Sequence, residues 1–533
     1  MRTLFILKVI GFLLISDLVG SAMTLQPSVV NALKQIVGST NVLTDPEDLY
    51  AYSFEYFFRE RYYPPISAVA RTSSSEEIRK ITHLAEKEGF RIIRRGERNA
   101  GKVSEFNMTE IVLLDDAKPP ELKPLEEVKL ESTTEFIKEI HRAGHGTFRN
   151  FAFALRALFS DRITSQCDEC KTCSGYCTVS PSFNDIETWS SKGRILLIKG
   201  ISNGDLALSK KLVDIIYTCT TCGLCFAQCA PDLQVHEVIT TTRHQIAEKG
   251  LIPQIFNLTA KNIFETGDPS GMPPKRRSLW MNQMPNLTPP KTAEVLYWVG
   301  CTTATRSPNV AKASANILNR VKINFTTLGA KEGCCGYVLL KTGLWSEAKN
   351  NASMLLEKVK ATNAKTLVTP CAGCYYTFTK LYPQILDVRM PLEVLHTSQL
   401  VERLIREGTI EPKELNVKVT YHDPCSLGRH CGVYESPRNV LKSIPKLELV
   451  EMPLSRSRSR CCGAGGGLWS YNTEVSMNSA STRLIKDVVP LDVDLMTTCC
   501  PACYMNFRYT TIKRSIPVKI CDVMEVVERS MLS

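Results

Sequence analysis

The chain has 533 residues, 44% hydrophobic and 22% charged, a balance that excludes a disordered or low-complexity protein and a length that exceeds one hydrophobic core, so three or four domains are expected. Its formal charge of +11 is scattered, with no basic run interleaved with aromatics, so nucleic acid is not expected as a partner. The outlier is cysteine: residues 1–166 contain none, and 20 of the 21 then fall into four groups.

Taken in chain order, residues 1–23 open with an apolar run from Leu4 to Val19 after Arg2. Lys8 and Asp17 interrupt it, and it is short for a membrane span. A signal or anchor, a loose extension and a start at Met23 all remain open. Residues 24–115 read as a small α/β unit. A strand is expected at 66–70, and Thr72 to Ser75 ahead of Glu76 and Glu77 reads as a helix cap. The helix runs to about Gly89 with Ile78, Ile81, Leu84 and Ala85 on one face, and a second strand follows from Arg91 to Gly96. Residues 116–160 read as a Pro-, Lys- and Glu-rich linker followed by helical spacing.

Residues 161–290 carry Cys167, Cys170, Cys173 and Cys177, then Cys219, Cys222, Cys225 and Cys229. Three cysteines at two-residue gaps can wrap three corners of a 4Fe–4S cubane, while a fourth, three residues on, ligates the other cluster of a pair. One cubane is therefore assigned to Cys167, Cys170, Cys173 and Cys229, and the other to Cys219, Cys222, Cys225 and Cys177. Zinc rarely needs the third close cysteine. Between the motifs, Gly193-Arg194-Ile195-Leu196-Leu197 and residues 206–216 have helical character. The section resembles the helical ferredoxin module of succinate dehydrogenase. Prolines over 270–292 read as a boundary.

Residues 291–410 and 411–533 form an internal repeat. Each copy has an apolar strand ending in a cysteine, then Cys-Cys-Gly, then Cys-x-x-Cys. The first holds Cys301, Cys334, Cys335, Cys371 and Cys374; the second holds Cys425, Cys461, Cys462, Cys500 and Cys503. Five thiolates exceed the need of a tetrahedral ion or an ordinary cubane. Cys431 and Cys521 read as ordinary buried thiols; Cys499 offers a second register for the last Cys-x-x-Cys, but Cys500-Pro501-Ala502-Cys503 mirrors Cys371-Ala372-Gly373-Cys374 and is preferred; His422 reads as either a proton donor or a packing residue.

His422-Asp423-Pro424-Cys425-Ser426-Leu427-Gly428-Arg429 and Cys461-Cys462-Gly463-Ala464-Gly465-Gly466-Gly467 resemble the CCG domains of the heterodisulfide reductase catalytic subunit and the glycolate oxidase iron–sulfur subunit. The resemblance implies an oxidoreductase with one or two further, noncubane 4Fe–4S clusters. It makes the second cysteine set (Cys425, Cys461, Cys462, Cys500 and Cys503) the catalytic candidate. Residues 28–96 resemble the start of FAD-linked oxidases through Leu33-x-x-Ile36-Val37-Gly38, the Asp45 to Tyr52 stretch and the turn at Arg95-Gly96. Only Gly96 and Gly101 remain of a glycine-rich turn, beside Glu97, so FAD binding by this chain is not expected. The fold class expected is α/β plus α: a small α/β fragment, a helical two-cluster ferredoxin domain and two tandem α/β CCG modules. The leading function is the iron–sulfur subunit of a flavin-linked glycolate or D-lactate dehydrogenase, passing electrons from a flavoprotein partner to a quinone or carrier. The alternative is disulfide reduction at a noncubane cluster. The compartment expected is cytoplasmic, at or away from the inner membrane face.

Overall fold

The computed structural model describes residues 25–53, 66–95, 109–114, 172–203, 205–229, 233–284 and 289–532. The apolar start, the linker, the helical spacing at 134–160, Cys167 and Cys170, and the turn after Arg95 lie outside these residues. The chain divides into two units, Met1–Glu131 with Leu196–Ala207 and Ser132–Ile195 with Leu208–Ser533.

In the first unit, helix Pro27–Val37 starts on a proline, whose fixed φ suits the first helical turn, and buries Val29, Leu33 and Val37. Strands β1 (Val42–Leu43), β2 (Ile66–Thr72), β3 (Arg91–Arg95) and β4 (Thr109–Leu114) form one sheet in the order β1-β2-β4-β3. Helix Ser75–Glu88 is capped by Ser74, whose Oγ accepts from the Glu77 N–H at 3.2 Å, and it stops at left-handed Gly89. Ile81 and Ala85 pack on Ala68 and Ala70 of β2. The strand–helix–strand reading thus has a member it did not include. β4 lies between β2 and β3, antiparallel to both. Strand neighbours are set by pairing across the chain, which the local pattern of a single apolar run does not encode.

Among the described residues of the second unit, the helices Lys210–Tyr217, Val235–Glu248 and Gln254–Thr266 precede the sheets. Ser209 caps the first of these by accepting the Leu212 N–H at 3.0 Å. Two four-stranded parallel sheets follow. The first contains β5 (Val295–Tyr297), β6 (Phe325–Thr326), β7 (Thr366–Thr369) and β8 (Glu393–His396), in the order β6-β5-β7-β8. The second contains β9 (Val417–His422), β10 (Leu447–Val450), β11 (Leu495–Thr498) and β12 (Ile520–Asp522), in the order β10-β9-β11-β12. The two topologies are identical, so the sequence repeat is a repeat of fold. Leu296, Leu367, Val419 and Met496 are wholly inaccessible, as expected of parallel strands covered on both faces.

Tyr297, Val368, Tyr421 and Met496 belong to one core shared by the two modules. The proline-bearing stretch at 270–292 is partly built into it. Trp280 of the segment Pro274–Gln283 is buried and stands edge-on to Tyr297, with ring centres 6.1 Å apart. Among the described residues no helix is long and apolar enough to cross a membrane.

Candidate iron–sulfur centres

In both modules the cysteines follow the carboxyl ends of parallel strands, where α/β sheets open a crevice. Cys301 follows β5, Cys334 and Cys335 follow β6, and Cys371 follows β7. Cys425 follows β9, Cys461 and Cys462 follow β10, and Cys500 follows β11. The fold therefore brings three loops, distant in sequence, to one place in each module.

In the first module, the sulfurs of Cys301 and Cys334 are 3.9 Å apart. The Gly336 N–H donates to Cys334 Sγ at 3.4 Å, and the Cys374 N–H to Cys371 Sγ at 3.4 Å. Cys335 is the hub. Hydrogen bonds from Cys334 and then Cys374 bring its thiol down to about 6, against the cost of burial. Cys301 and Cys374 are pushed well up, chiefly by their hydrogen-bonded thiol neighbours. Gly300 has φ +84°, and a Cβ there would stand 3.3 Å from Cys374 Sγ, so glycine lets the loop close on the thiols.

The second module repeats this arrangement. The thiols of Cys222, Cys425 and Cys462 surround Cys461 and push it well above the usual thiol range. Cys462 is the hub, held well below the usual thiol range by Cys461 and then Cys503. Cys500 is lowered by Cys503. The Gly463 N–H donates to Cys461 Sγ at 3.3 Å and the Ala464 N–H to Cys462 Sγ at 3.5 Å. His422 joins this set: a ring nitrogen and the sulfurs of Cys462 and Cys503 lie within 4.8 Å of one another. Its ring stands edge-on to Phe507 at 4.8 Å, just as Trp298 stands edge-on to Phe378 at 5.2 Å in the first module. The repeat thus replaces an indole with an imidazole beside one centre.

Of the eight ferredoxin-type cysteines, six are described. The three residues between Cys173 and Cys177, and those between Cys225 and Cys229, each form a single tight turn. Burial raises the Cys225 thiol well above its usual range, reinforced by Cys222, Cys219, Cys173 and Cys177 around it. The Thr221 N–H donates to Cys219 Sγ and the Leu233 N–H to Cys229 Sγ, both at 3.3 Å. Cys222 reaches the second module, where the hydrogen bond with Cys461 takes its thiol down to about 5. Among the described residues no disulfide joins two cysteines. Cys431 lies against Thr379 Oγ1 at 3.9 Å, Cys499 against Tyr421 and Cys521 against Glu525.

Sequence reading did not anticipate the groups that anchor these loops. Glu332 accepts the N–H groups of Val299 and Gly300 at 3.0 and 2.7 Å, so it fixes the approach to Cys301. Burial pushes its carboxyl up to about 7, with Arg277 opposing. In the second module Asp423, two residues before Cys425, is gripped by Arg438 through two contacts of 2.6 and 2.8 Å. Arg438 also forks onto Glu451 at 2.6 and 2.9 Å. A carboxylate two residues before a ligand cysteine, as at Glu332-Gly333-Cys334, was the available signal.

Thiolate sulfur is the ligand that iron–sulfur clusters take. Each module offers five thiols joined in one chain of contacts, more than a tetrahedral ion accepts. The donor set fits a multinuclear iron–sulfur centre.

Comparison with known proteins agrees with this chemistry. The cysteine-rich CCG domain family matches residues 295–379 and 419–508. A subunit of the dihydromethanophenazine:CoB–CoM heterodisulfide reductase of Methanosarcina mazei is 30% identical over 384 residues, 68% of this chain and 93% of that protein. A probable iron–sulfur-binding oxidoreductase of Bacillus subtilis is 30% identical over 60% of this chain and 46% of its own length. An EtfAB:quinone oxidoreductase of Syntrophomonas wolfei is 29% identical over 60% of this chain and 47% of its own.

Proposed function

Because this chain belongs to the CCG-domain iron–sulfur oxidoreductase family and is a component of a redox enzyme, we propose that it conducts electrons through two ferredoxin-type clusters into a second CCG centre that reduces a disulfide. The observation that carries this reading is the junction at Cys222, where Arg429 of the second module, four residues after Cys425, donates to the Cys222 carbonyl at 2.8 Å and the thiols of Cys222 and Cys461 act on each other. It supports an electron path that ends at Cys425, Cys461, Cys462, Cys500 and Cys503.

When bound, the clusters supply one-electron carriers. Cys167, Cys170, Cys173 and Cys229 hold one cubane; Cys177, Cys219, Cys222 and Cys225 hold the other. The second CCG set would hold a noncubane cluster, and the first set has the ligands for another. Two electrons and two protons convert one disulfide to two thiols. The protein's own work is to hold the thiolates close, exclude water and fix the loops through Glu332 and Asp423. The residues 24–115 unit docks a flavoprotein that supplies the electrons, consistent with relatives named as a reductase subunit and as an EtfAB:quinone oxidoreductase. In a second reading, favoured by that last relative, the same path carries electrons from the flavoprotein to a quinone or other carrier and touches no disulfide. The finer assignment to a glycolate or D-lactate dehydrogenase rests on sequence resemblance alone, that of the fragment and of the CCG motifs.

The test is EPR of the anaerobically reduced chain before and after adding a mixed disulfide of two small thiols. Disulfide reduction predicts a new paramagnetic signal on addition, absent in Cys462→Ser. Cubane signals alone, indifferent to disulfide, would leave the carrier reading and sink the reductase.

A further inference from the structure

Five arginines are fully buried among the described residues: Arg194, Arg243, Arg277, Arg438 and Arg483. A charge removed from water requires a counter-charge or a dense set of hydrogen bonds. Three of the five have a carboxylate: Arg277 has Asp268 and Glu332 at 3.8 and 3.9 Å, Arg438 has Asp423 at 2.6 Å, and Arg483 has Asp487 at 2.7 Å. Arg194 and Arg243 have none among the described residues, and both lie at the same place.

Arg194 donates through Nε to the Ile215 carbonyl at 2.9 Å and through Nη2 to Thr218 Oγ1 at 3.2 Å. Its Nη1 points at Cys177 Sγ, 3.6 Å away. Arg243 donates to the carbonyls of Ile216 (2.8 Å), Cys219 (2.6 Å), Lys341 (2.9 Å) and Gly466 (2.8 Å). Its guanidinium also lies 4.9 Å from the centre of the Tyr217 ring. Carbonyl dipoles solvate these two cations without neutralising them. One contacts Cys177 and the other the backbone of Cys219, two ligands assigned to the same cluster.

We infer that Arg194 and Arg243 set the potential of the cluster held by Cys177, Cys219, Cys222 and Cys225, raising it so that this cluster is the electron-rich member of the pair beside the second CCG centre. The inference rests on the cubane assignment made above. Reduction adds negative charge to a cluster, and a nearby buried cation stabilises that charge; hydrogen bonds to the sulfur ligand act in the same direction. Arg194 does both, and Arg243 acts by charge alone. Arg243 also ties the ferredoxin section to both CCG modules, since its four carbonyl partners come from all three. Its charge therefore lies where electrons leave the ferredoxin section. These are positioning residues for charge; they touch no substrate.

The experiment is an EPR-monitored redox titration, with iron counting, of the full chain and of Arg194→Gln, Arg243→Gln and the corresponding lysine variants. The signal of this cluster is identified by its loss in Cys222→Ser. Both glutamine variants are expected to shift that signal to more negative potential, Arg194→Gln the further, while the other signals stay in place. The lysine variants retain charge and are expected to stay nearer the wild-type potential. Iron-replete glutamine variants with an unshifted signal would overturn the inference. So would lysine variants displaced as far as glutamine ones; where one glutamine variant loses its fold, the glutamine and lysine variants of the other arginine decide the matter. A wild-type chain lacking iron would instead overturn the cubane assignment.

Discussion

Arg438→Ala is expected to lose about 3–5 kcal/mol of stability, read as a fall in the denaturation midpoint of the anaerobic protein. The magnitude follows from what is left behind. The Arg438 side chain is 0% exposed and that of Asp423 2%. Removing the guanidinium strands the Asp423 carboxylate in the interior with the Arg456 N–H, at 2.8 Å, as its remaining described donor. Glu451 also loses its two contacts with Arg438 but keeps Arg456 at 3.7 Å and is 35% exposed, so water meets part of its need. The cost therefore falls on Asp423, and through it on the loop that carries Cys425. The double variant Asp423→Asn with Arg438→Met is expected to regain part of the loss, because neither charge is then left unpaired. A double variant as unstable as Arg438→Ala would show that packing, not charge, dominates there.

Gly463→Ala is expected to cost roughly 3 kcal/mol or more, the sum of a left-handed backbone forced on alanine and a clash that cannot relax cheaply. Gly463 has φ +87°, and a Cβ there would collide with the Ser476 carbonyl oxygen. Ser476 lies within helix Thr473–Arg483, so the contact is with ordered backbone. The same carbonyl accepts from Asn506, which also donates to the carbonyl of Cys462. Displacing Ser476 therefore disturbs the hold on the Cys-Cys pair. The variant is expected to retain the cubane EPR signals and lose those of the second CCG centre. A variant of wild-type stability with full iron would show that this glycine is not needed for the approach.

Much of the candidate site was legible because its signals are local. Cys-x-x-Cys and Cys-Cys-Gly spacings lie within one turn of chain, and the loop glycines stand beside them. The Ser74 cap and the Gly89 stop were legible for the same reason, since each acts within four residues of itself. The repeat was legible because every landmark of one copy has its counterpart in the other. What was not legible depends on tertiary contact. β4 enters its sheet between β2 and β3 across a gap in sequence. Glu332 reaches back to Val299 and Gly300 from 33 and 32 residues away. Arg194 sits in an Ile-Leu-Leu helix and reads locally as a solvent-facing charge. Arg243 collects carbonyls from Cys219 and, 223 residues away, from Gly466. The meeting of Cys222 with Cys461 is of the same kind: each is plain in its own motif, and nothing local says that the motifs touch.

Everything proposed for the electron path requires that at least the second CCG cysteine set hold an iron–sulfur cluster in addition to the two cubanes. Iron, sulfide and zinc quantification of the anaerobically purified chain tests this most directly. Three or four four-iron clusters predict about twelve to sixteen irons per chain, with matching sulfide and no zinc. About eight irons, with zinc or no metal in the two CCG sets, would contradict it.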